Sequence, residues 1–308
     1  MSAQSSRLPT ALYPMVEQLE PKLQEALDAL RRSIAAHPTV LVAYSGGVDS
    51  SLVAAIAAEQ LGEQAQAITG VSPALAPHLR QEARQQAAWM GISHREIPTA
   101  ELNDPAYSDN PADRCYVCKK ELHALLAELL KSSGKPLAVV LDGVNHDDLN
   151  EHRPGIRAAQ ERQVISPLAE LGINKTGVRA ISKALGFPWW DKPAQPCLAS
   201  RFPYGEAISL ERLQRVAAAE AWLRKRGFQE LRVRSQGDSA QIELPPKQLA
   251  DLLEPGVREA LLDSFLGLGF TGVSLDLEGL VSGKLNRALH RLEADQRQAT
   301  NNPRPLEG

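Results

Sequence analysis

A turn of Ser45-Gly46-Gly47-Val48-Asp49-Ser50-Ser51 stands between the apolar run Val40-Leu41-Val42-Ala43-Tyr44 and an alanine-rich stretch from Leu52 to Leu61. Two adjacent glycines let a backbone approach an anion closely. The helix that follows offers unpaired N–H groups and the positive end of its dipole, and the serine hydroxyls add donors. Asp49 repels phosphate, so a carboxylate at this place implies a bridging Mg²⁺. No Gly-Lys-Ser/Thr follows and the spacing is not G-x-G-x-x-G, so neither the Walker nor the dinucleotide pattern applies. The bland alternative is a tight turn with no ligand, and such a hexamer rarely falls at a strand–helix junction by accident.

Three other groupings could do chemistry. Asp142-Gly143-Val144-Asn145-His146-Asp147-Asp148 follows a fully apolar strand, where open α/β sheets place their ligands. Its acids and amide suit a ribose, Mg²⁺ or a polar substrate, and Glu151-His152-Arg153-Pro154-Gly155 adds a basic group beside them. Cys197 lies among Pro193, Pro196 and Pro203, near Ser200 and Arg201, in a stiff and locally electropositive loop that favours thiolate chemistry. Cys115 and Cys118 share one helical face if Asn110 caps a helix beginning near Pro111. With Cys197 they make three thiolates, enough to hold three irons of a 4Fe–4S cluster and leave the fourth open. Zinc on these three plus His123, or a redox-active Cys-x-x-Cys, are the competing readings.

The elements that must position these groups alternate. Residues 15–37 carry Leu19, Leu23, Leu27, Leu30 and Ile34 on one helical face. Strands are expected at 40–44, 65–71, 93–97 and 137–141, and helices at 52–61, 78–90, 113–131 and 175–185. Fully apolar strands are buried on both faces, so the fold class is α/β, a doubly wound parallel sheet. Beyond about residue 205 the pattern changes. A helix over 209–226 capped by Ser209, a hairpin of 230–235 with 240–244, a helix at 257–266, a strand at 272–277 and a helix at 284–292 form a smaller α+β domain. The expected division is 15–195, then 196–292, with 293–308 an unstructured tail.

Taken together, the glycine turn resembles the PP-loop of the ATP pyrophosphatases, which share an adenine nucleotide alpha hydrolase-like fold. The D-G-x-N-x-D-D-x-x-E-x-R-P-G segment, the Cys197 loop, Leu231-Arg232-Val233-Arg234 and Leu275-Asp276-Leu277-Glu278-Gly279 resemble the LarE family over residues 30–290. LarE is the sulfur transferase of nickel-pincer nucleotide biosynthesis. The resemblance implies ATP and Mg²⁺ at Ser45, Gly46, Gly47, Asp49, Ser50, Ser51, Gly143 and Asn145. It implies a pyridinium biscarboxylic acid mononucleotide as substrate, held by Ser200, Arg201, Glu220, Arg232, Arg234 and Asp147, and Cys197 as the sulfur-bearing residue. Arg232 and Arg234 alternate on a strand, so their guanidiniums face one side and could grip one phosphate. One kind of LarE sacrifices its cysteine sulfur and is left with dehydroalanine. The other has three cysteines resembling cluster ligands, as here. His146 departs from the small residue usual at its position. The resemblance further implies a homo-oligomer and a sulfur-donor protein.

Composition sets bounds. The 308 residues are 43% hydrophobic and 23% charged with a formal charge of −3, which excludes disorder as the main state and argues against a nucleic-acid coat. No apolar run approaches the roughly 18 residues of a membrane span. The polar N-terminus lacks a secretory core, and three cysteines make no disulfide framework, so the expected compartment is the cytoplasm. Competing functions are a tRNA-thiolating relative, an ammonia-using ligase, and a nucleotide-responsive metal or iron–sulfur carrier without turnover.

Overall fold

The computed structural model describes residues 12–287 apart from 133, 135, 136, 151–153 and 282. Its first sheet has four parallel strands in the order β3-β2-β1-β4, formed by β1 (Val40–Ala43), β2 (Ala65–Val71), β3 (Ser93–Pro98) and β4 (Val139–Leu141). The lack of polar alternation in β1 has its expected cause, since all four residues are buried. Val40 and Val42 enter one core with α1 (Pro21–Ala35), α2 (Val48–Leu61), α3 (Pro77–Met90) and α8 (Lys175–Ala184). Leu41 and Ala43 enter another with Ile68, Ile97, Val140 and Leu126 of α5 (Arg114–Ser132). Helices thus cover both faces. The short helices α4 (Pro105–Ser108), α6 (Pro154–Gln160) and α7 (Pro167–Glu170) complete the interval before α8.

β1 is followed through α2 by β2 on one side, whereas β4 lies on the other. The two chains leaving the carboxyl ends of β1 and β4 therefore part at a switch point, which opens a crevice in sheets of this kind.

Three expectations are corrected. The first helix begins at Pro21, not Met15, because the proline takes the first helical position while Glu20 stays extended. The second begins at Val48, so Asp49 and Ser50 belong to its first turn. Asn110 caps no helix. It has φ 57°, and its amide donates to the carbonyls of Phe202 (3.4 Å) and Pro203 (2.7 Å) while α5 starts at Arg114.

The chain forms two compact units, one of residues through Tyr107 with Asp113–Pro196, the other of Ser108–Ala112 with the chain from Cys197 onward. In the second unit, α9 (Leu210–Lys225) is capped by Ser209, whose hydroxyl accepts from Arg212 N at 3.2 Å. β5 (Arg232–Gln236) and β6 (Ser239–Glu243) pair antiparallel across Gly237-Asp238, and β7 (Gly272–Leu275) joins β6 in parallel. Helices α10 (Leu249–Leu252) and α11 (Pro255–Gly267) lie between β6 and β7 in the chain. The expected tail beyond 293, Glu151-His152-Arg153 and most of the 284–292 helix fall outside the described residues.

Candidate functional site

The glycine turn forms a cradle. Gly46 has φ 71°, a left-handed conformation, and a Cβ there would meet Ala83 Cβ at 3.1 Å. Gly47 precedes α2 with no side chain capping it, so the first N–H groups of the helix are left for an anion. Ser45 and Ser50 close the turn upon itself, their hydroxyls 3.1 Å apart and Ser50 Oγ donating to Gly47 O at 3.2 Å. From below, Gln86 Oε1 accepts from Tyr44 OH (3.0 Å) and Ser51 Oγ (3.4 Å), tying the turn to α3.

Across the crevice, the loop after β4 meets the cradle. Gly143 lies so close to α2 that a Cβ on it would stand 2.5 Å from Ser50 N and 2.7 Å from Ser50 Cα. Asn145, 3% exposed, organises this loop: its Oδ1 accepts from Asp147 N (3.0 Å) and Asp148 N (3.3 Å), and its own N–H donates to Asp148 Oδ2 at 3.1 Å. Its remaining amide donates to Asp49 Oδ1 at 3.2 Å. Burial pushes the Asp142 carboxyl above its usual range, against hydrogen bonds from Ser166 and Val144 N that pull it down.

Two lysines complete the site. Lys175 Nζ pairs with the second oxygen of Asp49. Lys192 Nζ donates to Gly46 O at 3.1 Å and pairs with Glu82 at 2.6 Å. Sequence reading missed both, and Gln86 too, because their partners lie far off in the chain. An anion fits this arrangement: helical N–H groups with no side-chain cap, a glycine turn and two ammonium groups border the cradle. Asp49 and the loop acids present the oxygen donors that Mg²⁺ prefers.

In the second unit, Cys197 is exposed at the start of a 3₁₀ turn over Leu198–Arg201. Its carbonyl accepts from Ser200 N (3.0 Å), Ser200 Oγ (2.8 Å) and Arg201 Nη1 (3.4 Å). Beneath lies a buried charge network. Arg201 pairs with Glu220, which also accepts from Val233 N at 3.1 Å. Arg234 pairs with Glu243 through Nε (2.9 Å) and Nη2 (3.0 Å) and donates to Ser200 O at 2.7 Å. Arg232, on the same face of β5, donates to Val281 O at 3.1 Å and stands 3.9 Å from Glu243. Arg224 stands 3.9 Å from Glu220 and Lys284 3.9 Å from Glu243, so four guanidiniums and one ammonium meet these two carboxylates. Burial, then Arg234 and Arg201, pull the Arg232 guanidinium below its usual range, against Glu243 and Glu220, which hold it up. Arg234 is committed to Glu243, a residue that sequence reading did not single out, which leaves Arg232 the more available for a phosphate.

Cys115 and Cys118 stand three residues apart on α5, one exposed and the other half-buried, and all three cysteines are unbridged. Cys118 Sγ lies 3.8 Å from Glu101 Oε1. As thiols on adjacent turns they suit iron or zinc, but among the described residues no three His, Cys, Asp or Glu side chains are gathered to hold a metal. His123 is buried, with Nδ1 lacking a hydrogen-bond partner. Burial first, then Lys119 and Arg162, push its pKa down to about 4. It does not join the cysteines. Among the described residues no helix is long and apolar enough to cross a membrane.

Parallel strands, a Ser-Gly-Gly-x-Asp-Ser cradle and an acid across the crevice define a PP-loop ATP pyrophosphatase, a class of ATP-dependent enzymes. A family model for asparagine synthase matches residues 22–108, the part that carries the cradle. The chain is 35% identical over 255 residues to a pyridinium-3,5-bisthiocarboxylic acid mononucleotide synthase of Lactiplantibacillus plantarum, covering 82% of this chain and 91% of that one. It belongs to the LarE family. An uncharacterized protein of Synechocystis is 52% identical over 87% of this chain and 99% of its own. Another, of Methanocaldococcus jannaschii, is 30% identical over 78% and 89%.

Proposed function

We propose that the protein is an ATP-dependent sulfur transferase that turns a carboxylate of pyridinium biscarboxylic acid mononucleotide into a thiocarboxylate for nickel-pincer cofactor synthesis. The observation that carries this reading is Asp49, turned from an anion-binding helix start toward Asn145 and Lys175, in a chain of the LarE family. ATP phosphates would lie on Gly46, Gly47 and the start of α2, and Mg²⁺ held by Asp49 would neutralise charge on the leaving group. A substrate carboxylate oxygen attacks the α-phosphorus, the bond to the bridging oxygen breaks, and pyrophosphate departs with the electron pair. Adenylation makes AMP the leaving group in place of oxide. Sulfur then attacks the acyl carbon and AMP leaves. The cationic network under Cys197 would hold the substrate phosphate, chiefly through Arg232.

Cys197 thiolate is one sulfur source: it forms a thioester, and loss of the Cα proton of residue 197 with cleavage of its Cβ–Sγ bond would release the thiocarboxylate and leave dehydroalanine. A 4Fe–4S cluster on Cys115, Cys118 and Cys197, when bound, would supply a replaceable sulfide instead. Protein purified without oxygen, assayed for iron and acid-labile sulfide, separates the two. About four irons with matching sulfide supports the cluster, whereas neither iron nor zinc supports a sacrificial Cys197. Pyrophosphate formed only when the mononucleotide is present supports the reaction; a burst needing tRNA instead overturns it. The asparagine synthase match favours one second reading, an ammonia-using ligase. That reading requires full activity in Cys197→Ala.

A further inference from the structure

We propose that Lys192 is a positioning residue that fixes the plane of the Gly46–Gly47 peptide and so aims the Gly47 N–H at the phosphates; the inference rests on the nucleotide reading above. The carbonyl of Gly46 and the N–H of Gly47 belong to one trans peptide group, in which they point in opposite directions. Whatever holds that oxygen therefore aims that donor. Between two glycines, no Cβ on either side resists rotation of the plane. The next peptide is fixed by the helix itself, since Gly47 O accepts from Ser51 N at 2.9 Å and Ser50 Oγ at 3.2 Å. Gly47 N donates to Ser45 Oγ at 3.4 Å, a long bond that an arriving phosphate oxygen can replace.

Lys192 is the group that holds the oxygen. Its ammonium donates to Gly46 O at 3.1 Å and pairs with Glu82 at 2.6 Å, and its side chain is only 13% exposed. An ammonium on a carbonyl also polarises the peptide, which strengthens the N–H at its other end as a donor. Glu82 balances the charge, so the pair gives the cradle shape rather than a net positive field. The lysine arrives on a braced stretch of chain. Lys192 N donates to Trp189 O at 3.0 Å, and the Trp189 ring meets that of Trp89 at 5.2 Å between centroids. Pro193 disfavours a helical backbone at Lys192. Glu82 and Trp89 stand seven residues apart on α3, two turns along one face. One helix therefore seats both the segment that carries the lysine and the ammonium at its end.

Inorganic pyrophosphate, titrated calorimetrically against the full chain in EDTA, tests this without turnover. Lys192→Met should weaken binding about tenfold, the scale of one charge-assisted hydrogen bond, and Lys192→Arg should retain most of it. Unchanged affinity in Lys192→Met overturns the proposal. Glu82→Ala decides how the lysine acts. A lysine that works through Gly46 loses its brace there, and binding should weaken by about threefold. A lysine that touched phosphate itself would instead be released toward it, so unchanged or tighter binding in Glu82→Ala also overturns the proposal. The Gly47 amide supplies a readout that a merely structural lysine would not move. Its ¹H–¹⁵N resonance should shift on adding pyrophosphate to wild type and stay in place in Lys192→Met at an unchanged melting temperature. A shift of wild-type size in that variant counts against the assignment. Should Lys192→Met misfold, Glu82→Ala, with the lysine intact, carries the test. Wild-type protein that binds neither ATP nor pyrophosphate, with or without Mg²⁺, overturns the nucleotide reading itself, a distinct failure.

Discussion

Arg201 and Glu220 form a two-point ion pair, Nε to Oε1 at 2.7 Å and Nη2 to Oε2 at 3.2 Å, while the same guanidinium reaches the carbonyl of Cys197. Both side chains are nearly closed to solvent. Removing one member leaves a buried charge without its partner, which costs about 3–5 kcal/mol. Glu220→Ala should lose that much in urea denaturation and also free Val233 N; Glu220→Gln should lose less. A cost below about 1 kcal/mol for the alanine variant would show that the network relaxes.

Gly143→Ala tests the close approach between the β4 loop and α2. A methyl group 2.5 Å from Ser50 N forces one of the two backbones to move. Overpacking of this kind costs about 1–3 kcal/mol, and it should open the crevice where Asp49 meets Asn145. Lower thermal stability together with weaker ATP binding is the expected pair. Weaker binding without a change in melting would place the effect on the cradle alone.

Asp49→Asn keeps the shape of the side chain and removes its charge. Pyrophosphate release with the mononucleotide should fall by at least about 10²-fold, on the scale of losing one electrostatic contact to the transition state. Release at wild-type rate would remove Asp49 from the mechanism.

Acid should destabilise the first unit through His123. Its folded pKa, about 4, lies below the usual value of 6.5 for histidine. Between those values the unfolded chain binds a proton that the native one does not, so stability falls as pH drops through that window and levels off below it. The slope from this residue approaches 1.4 kcal/mol per pH unit. His123→Phe, read by urea denaturation from pH 4 to 7.5, should flatten the profile by that amount. Parallel profiles would refute the assignment.

The strands were legible because burial writes itself locally. β1 shows no polar alternation because its two faces enter two separate cores, and that much needs no coordinates. The glycine turn was legible for a similar reason: left-handed backbone and anion contact both demand residue types at fixed places. Lys175 was not, since it meets Asp49 across 126 residues and nothing beside it in the chain marks the ammonium's destination. Glu243 stayed hidden likewise, an ordinary strand glutamate until β5 places Arg234 opposite. Asn110 misled because an Asn-Pro step before a helical run looks like a cap, whereas its amide serves carbonyls 92 and 93 residues away.

Five residues, Ser108–Ala112, leave the first unit, join the second and return. The chain therefore passes between units three times, and no single cut divides it. A fragment ending at Pro196 would keep this pentapeptide but lose the carbonyls that hold Asn110 and the bonds from Gly205 N to Asn110 O and Ile208 N to Ser108 O. A fragment beginning at Cys197 would lack the stitch that bonds its own Phe202, Pro203, Gly205 and Ile208. A fusion made at the 196/197 border alone would therefore divide the second unit from a piece of itself.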